Sequence, residues 1–211
     1  MWNDVTEYAR AFTTLLAVID PIGAAPLFLA FTRNIPHKRR RTARVAATVT
    51  GAMLIAGALA GEVILRFFGV SPDAFRVTGG VLFMLMALDM LRAKQDRMRH
   101  TPKEDAEAIE SDDVAVTPLA FPLLAGPGAI SATIFYGNRM QGVVDKAAIC
   151  AICAILALLV WATLVFAPIL EKKLSQTSIN VGTRIMGLIL AAMAVEFIVG
   201  GMRNLFPGLA G

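Results

Sequence analysis

Leu15-Leu16-Ala17-Val18-Ile19-Asp20-Pro21-Ile22-Gly23-Ala24-Ala25-Pro26-Leu27-Phe28-Leu29 is an apolar stretch interrupted once, by an aspartate followed by proline. The block around it runs from about residue 8 to residue 32. That is enough to cross a hydrocarbon core about 30 Å thick, which takes roughly 20 helical residues. Lipid offers no water to backbone groups, so a segment at that depth is helical, or broken only where protein or a cavity satisfies it. Proline lacks an N–H and clashes with the turn before it, and the residue preceding a proline avoids helical angles. Aspartate is a good N-cap, and proline is favoured at the first helical position. The pair therefore predicts a spanning helix broken near mid-membrane, with a half-helix starting at Pro21 and capped by Asp20.

The rest of the chain repeats the pattern of long apolar blocks. Of 211 residues 56% are hydrophobic and 17% charged, where a soluble domain carries about a quarter charged. Mean hydropathy is +0.64. Six spans are expected, at roughly 8–32, 43–68, 73–92, 114–137, 147–170 and 182–203. A polar stretch, 93–113, opens with Lys94-Gln95-Asp96-Arg97 and carries an acidic run to Asp113; its composition is that of a solvated linker. It divides the chain into 1–92 and 114–211, with three spans each. Met1-Trp2-Asn3-Asp4 lacks the basic start of a cleaved signal, so the first block is expected to stay.

The net charge of +4 does not point to nucleic acid, because the basic residues sit in loops between apolar blocks. The segments 33–44, 92–103 and 172–184 hold fourteen of the 20 lysines and arginines. Basic loops stay in the cytoplasm, so the linker is cytoplasmic and both chain ends lie outside. Cys150 and Cys153 have C-x-x-C spacing but sit in an apolar run, where they read as small packing residues. His37 and His100 lie in polar loops, and no cluster has metal-ligand spacing. No cofactor or metal is expected, and no nucleophile is paired with a base, which argues against an enzyme.

Span 4 contains Pro118-Leu119-Ala120-Phe121-Pro122-Leu123-Leu124-Ala125-Gly126-Pro127-Gly128-Ala129. Gly126-Pro127 predicts a second break with Gly126 as cap, while Pro26, Pro118 and Pro122 each predict a kink. Gly23-Ala24 aligns with Gly128-Ala129, and Met86-Ala87-Leu88-Asp89 with Met193-Ala194-Val195-Glu196, at offsets of 105 and 107. The second half thus reads as a diverged copy of the first. With an odd number of spans per half, the copies run in opposite directions, as in many secondary transporters.

Two half-helix N-termini then meet near the bilayer centre. Each offers free N–H groups and a partial positive charge, which suits a carboxylate. Asp20 offers a negative charge to an ammonium or a proton, and a mid-membrane carboxylate is costly unless it has work to do. A zwitterionic amino acid fits both features. The expected site comprises Asp20, Pro21, Gly23, Ala24, Gly126, Pro127, Gly128, Ala129 and Ser131, whose small side chains allow close backbone approach. Asp20 as a pure cap remains the competing reading. Among other ionisable groups, Glu62 is expected to pair with Arg66, four residues on. Glu196 is deep in span 6 with no helical-neighbour cation, so an ion or proton role is open to it. Gly57-x-x-x-Gly61 reads as a packing face, within the protomer or between copies in a homo-oligomer.

The span-1 motif Asp20–Phe28, the span-4 motif Pro118–Ile130, and Thr78-Gly79-Gly80 with Ala87-Leu88-Asp89 resemble the MarC family of bacterial inner-membrane proteins, also called the six-span neutral amino acid transporter family. The resemblance covers nearly the whole chain. It implies transport of small neutral amino acids (the glycine, alanine and serine class), by uptake or efflux, coupled to a proton or a sodium ion where coupling occurs. In span 6 the family usually has an amide where this chain has Glu196. Against the transporter stands a non-transporting regulatory or resistance-associated membrane protein, which matched helix breaks do not require.

Overall fold

The computed structural model describes residues 4–32, 35–92, 115–140, 142–173, 176–206 and 208. Among them the regular structure is helical: α1 (Asp4–Ile19), α2 (Pro21–Phe31), α3 (Arg39–Phe67), α4 (Pro72–Leu91), α5 (Pro127–Arg139), α6 (Val143–Lys173) and α7 (Gln176–Leu205). A short 3-10 turn, Pro36–Lys38, leads into α3, and a wide-turn segment, Ala115–Leu124, precedes α5. The linker 93–113 lies outside the described residues.

Five stretches are long and apolar enough to cross a membrane: Val5–Phe31, Pro36–Phe67, Pro72–Leu91, Val143–Ile169 and Asn180–Leu205. The segment expected as span 4 is not one of them, because it is divided into the wide-turn piece and the 13-residue α5. Helices α3, α6 and α7 run several residues past the apolar blocks. Arginine, lysine and glutamine are good helix formers, so a helix continues into the interface after the lipid-facing stretch ends.

The helix ends follow local chemistry. Ser71 caps α4 by accepting from the Ala74 N–H at 3.2 Å, with Pro72 at the first helical position. Helix α3 closes on Gly69 at φ 67, where Val70 N–H donates to Leu65 C=O and Gly69 N–H to Arg66 C=O. That is the paired-bond ending that a left-handed glycine permits. Glu62 and Arg66 form the expected ion pair, one turn before the end.

Helix pairing is set by small residues. Helices α4 and α7 pack along their length, with Gly80 against Ala194 and Ile198, Gly187 against Ala87 and Met90, and Gly201 against Asp73 and Val77. Helix α3 packs on α6, where Gly51 faces Ala157, and on α5. Gly57 and Gly61 meet Thr133 and Ile134 of α5, so the Gly57-x-x-x-Gly61 face is used within the protomer. Helix α1 touches α5, α6 and α7, and α2 lies on α6. The centre is filled by Leu15, Phe28, Leu54, Phe83, Leu156 and Leu190. Val63, Phe67, Leu158, Phe166, Ile185 and Leu188 stand outward and exposed, in a density that suits lipid and not water.

Candidate functional site

Asp20 is the one non-glycine residue with positive φ among the described residues, at φ 44 and ψ 66. Aspartate and asparagine tolerate this left-handed region best among residues with a Cβ. The chain thereby leaves α1 and re-enters a helix within one residue. Asp20 N–H still donates to Leu16 C=O at 3.0 Å, and Asp20 C=O already accepts from Ala24 N–H at 3.1 Å. Its carboxylate folds back over the start of α2 and accepts from Gly23 N–H at 3.1 Å. The N–H of Gly23, expected to receive a ligand carboxylate, is thus bonded to Asp20.

Gly23 is required by this fold-back. A Cβ there would lie 2.1 Å from the Asp20 carboxylate oxygen Oδ2. Gly23→Ala is therefore expected to unseat the cap and cost about 1 kcal/mol, the usual value of a lost N-cap, although alanine is the better helix former. A higher unfolding temperature for Gly23→Ala would show that the carboxylate is not seated in this way.

The second break is wider than expected. Gly126 is extended, at φ −70 and ψ 174, and Pro127 opens α5. Upstream, Thr117 and Phe121 are also extended, with ψ of 121 and 127. Each precedes a proline, Pro118 and Pro122, and a residue before proline is pushed out of the helical region. The two prolines read in sequence as simple kinks thus produce a non-helical run-in, wound in wide turns, ahead of α5.

The breaks lie side by side. Gly128 is buried, and a Cβ on it would come within 3.3 Å of Val18, two residues before Asp20. The same Cβ would meet Met86 at 2.9 Å and Phe83 at 3.4 Å. The space beside Gly128 is therefore taken by protein side chains. Pro21, Ala24, Ala129 and Ser131 are buried, Asp20, Gly23 and Gly126 half-buried, and Pro127 exposed. Ser131 faces Gly79 of α4. Glu196 is not at the breaks.

Glu196 lines a different feature, a cavity of about 760 Å³ framed by α1, α4, α5 and α7. Glu7 and Arg10 of α1, Arg76 of α4 and Arg139 of α5 are the other charged residues in its wall. Polar contacts tie the helices around it: Arg139 to Glu7 at 2.8 Å, Tyr8 to Asp145 at 2.6 Å, and Asn204 to Asp73 at 2.8 Å. Deeper, the hydroxyls of Thr14 and Tyr136 are hydrogen-bonded at 3.0 Å. Arg76 lies over the rings of Phe135 and Phe197, 4.6 and 5.5 Å from their centroids. Sequence reading did not single out Arg76 as a site residue. Its signal was an arginine just inside an apolar span, where a cation is costly without a partner.

The model of the MarC family of integral membrane proteins matches residues 5–206. UPF0056 membrane protein YhcE of Escherichia coli is 38% identical over 207 residues, covering 98% of this chain and 96% of that protein. UPF0056 membrane protein MJ1677 of Methanocaldococcus jannaschii is 40% identical over 203 residues, covering 95% and 98%. UPF0056 membrane protein YvbG of Bacillus subtilis is 34% identical over 202 residues, covering 95% and 96%. No solved structure matches. With helices built to cross a bilayer and a family match from end to end, the chain belongs to the MarC family of integral membrane proteins.

Proposed function

We propose that the protein is a secondary transporter of small neutral amino acids, of the glycine, alanine and serine class, in the bacterial inner membrane. The observation that carries this reading is the pair of half-helices α2 and α5. Both begin at a proline, and their starts lie side by side through Val18 and Gly128. The first N–H groups of α5, at Gly128 and Ala129, have no carbonyl one turn back within the helix, and they suit a carboxylate. Asp20 supplies the charge for an ammonium.

The same reading takes Ala115–Arg139 as a sixth crossing and the two halves as inverted repeats. Packing supports it: α3 lies on α6 and α4 on α7, each on its counterpart in the other half, and α1 touches α5 as α2 touches Ala115–Leu124. A pseudo-two-fold axis in the membrane plane produces such pairing. The basic bias favours both chain ends outside, so a reporter active only in the cytoplasm should be silent when fused at Gly211.

Counterflow in proteoliposomes tests the function. Preloading with unlabelled alanine should accelerate entry of labelled alanine, glycine and serine. A folded, reconstituted protein that gives no counterflow with any neutral amino acid would overturn the reading and favour a non-transporting membrane protein.

A further inference from the structure

We propose that the cavity framed by α1, α4, α5 and α7 is a second binding site, separate from the helix breaks, for a small carboxylate-bearing zwitterion. The Arg76 guanidinium receives the carboxylate and Glu196 faces the ammonium. Identifying that zwitterion with a transported amino acid rests on the function proposed above; the carboxylate site itself does not.

Size and charge come first. About 760 Å³ falls within the range of small-molecule sites, roughly 300–1,000 Å³. Three arginines and two glutamates line it, which leaves a net positive charge. Arg139 is engaged by Glu7 through two nitrogens, at 2.8 and 2.9 Å. Arg76 is different. No described carboxylate forms an ion pair with it, and its Nε is buried with no hydrogen-bond partner among the described residues. A guanidinium carries five donors in a fixed fork that matches a carboxylate, so an unmatched one beside a cavity is a receptor without its ligand.

Arg76 is also held in place for that task. Phe135 and Phe197 support its planar face, and this stacking fixes the plane while leaving the edge donors available. On α7, Gly200 makes room for it: a Cβ there would lie 2.3 to 2.6 Å from the guanidinium atoms. Glu196 brings a negative charge into the same cavity. A positive and a negative group in one cavity prefer a zwitterion to either ion alone.

The cavity adjoins the first half of α1. Glu7, Arg10 and Thr14 follow one face of α1 inward from its first turn. The next turn along that face reaches Val18, which closes on Gly128. The face of α1 that walls the cavity thus leads toward the breaks.

The test uses the full-length protein in nanodiscs of zwitterionic lipid, with calorimetric titration of glycine, acetate and methylamine. The background is Asp20→Asn, which removes the charge at the breaks. Glycine should bind more tightly than acetate, and methylamine most weakly. Arg76→Gln should weaken glycine and acetate by about tenfold or more, with Arg76→Lys intermediate. Glu196→Gln should weaken glycine and spare acetate. Gly200→Ala, which displaces the guanidinium but keeps its charge, should mimic Arg76→Gln. Unchanged acetate binding in both Arg76→Gln and Gly200→Ala would overturn the proposal, as would no acetate binding at all. A lipid phosphate shares the anionic chemistry. If phosphatidylglycerol in the nanodisc abolishes acetate binding and co-purifies with the protein in an Arg76-dependent way, the cavity is a lipid site and the proposal falls. Binding at this cavity with no counterflow by the wild-type protein would instead sink only the transport reading.

Discussion

Asp20→Asn is expected to leave the fold intact and to lower amino acid counterflow by roughly ten- to a hundredfold. Asparagine shares the two structural abilities that this position uses. It enters the left-handed region at φ 44 readily, and its side-chain oxygen accepts the Gly23 N–H as aspartate does. The cap and the joint therefore survive the change. What is lost is the charge. A hydrogen bond to a charged group contributes about 1.5–3 kcal/mol, which converts to the stated loss at about 1.4 kcal/mol per factor of ten. Asp20→Ala is the contrast, since it loses the cap, worth about 1 kcal/mol, and leaves a residue that resists the left-handed region. Its unfolding temperature should fall where that of Asp20→Asn does not. Wild-type counterflow in a folded Asp20→Asn protein would leave Asp20 as a structural cap alone.

The largest effect on folding is expected at Gly137, in the last turn of α5. A Cβ there would lie 2.2 Å from the Ala58 carbonyl oxygen and 2.7 Å from its Cα. Both are backbone atoms of α3, and no rotamer change relieves the clash. Gly137→Ala must push α5 from α3, a seam that Gly57 and Gly61 also serve. Overpacking of this kind costs about 1–3 kcal/mol and at times more; with rigid backbone as the obstacle, the upper end, about 3 kcal/mol, is expected. Gly182→Ala is the control, because nothing lies within 4 Å of its added Cβ and alanine favours the helix. In size-exclusion profiles after heating, Gly182→Ala should match or exceed the wild type and Gly137→Ala should aggregate first. Equal thermal behaviour of the two would refute the close seam.

What could be read from the chain depended on the range of the interaction. Both main breaks were legible, because Asp20-Pro21 and Gly126-Pro127 state their geometry within two residues. The rule that marked them also covers Thr117-Pro118 and Phe121-Pro122, which were read as kinks; two pre-proline residues four apart leave too few helical bonds between them for an ordinary helix. Gly57-x-x-x-Gly61 announced a close seam without naming its partner, since only packing brings Ile134 there. The cavity was not legible at all. Glu7, Arg76, Arg139 and Glu196 come from four helices, and no local pattern joins them. Glu196 alone drew notice, for its depth, but its company did not. The ligand N–H expected at Gly23 was taken by the cap itself, a competition that spacing cannot rank.

The single left-handed residue between α1 and α2 also has a mechanical meaning. A continuous helix transmits bending along its axis, whereas a one-residue joint concentrates any bend at a single point. Twelve residues separate Glu7 from Ile19, a lever arm of about 18 Å at 1.5 Å per residue. Swinging α1 by about 10° about Asp20 would carry Glu7 through about 3 Å, given that arm. That is the reach of one hydrogen bond. The same swing would unfasten Glu7 from Arg139 and Tyr8 from Asp145 together, and would slide α1 over α5, α6 and α7, on which it packs. The two contacts would then act as a clasp on the first turn of α1.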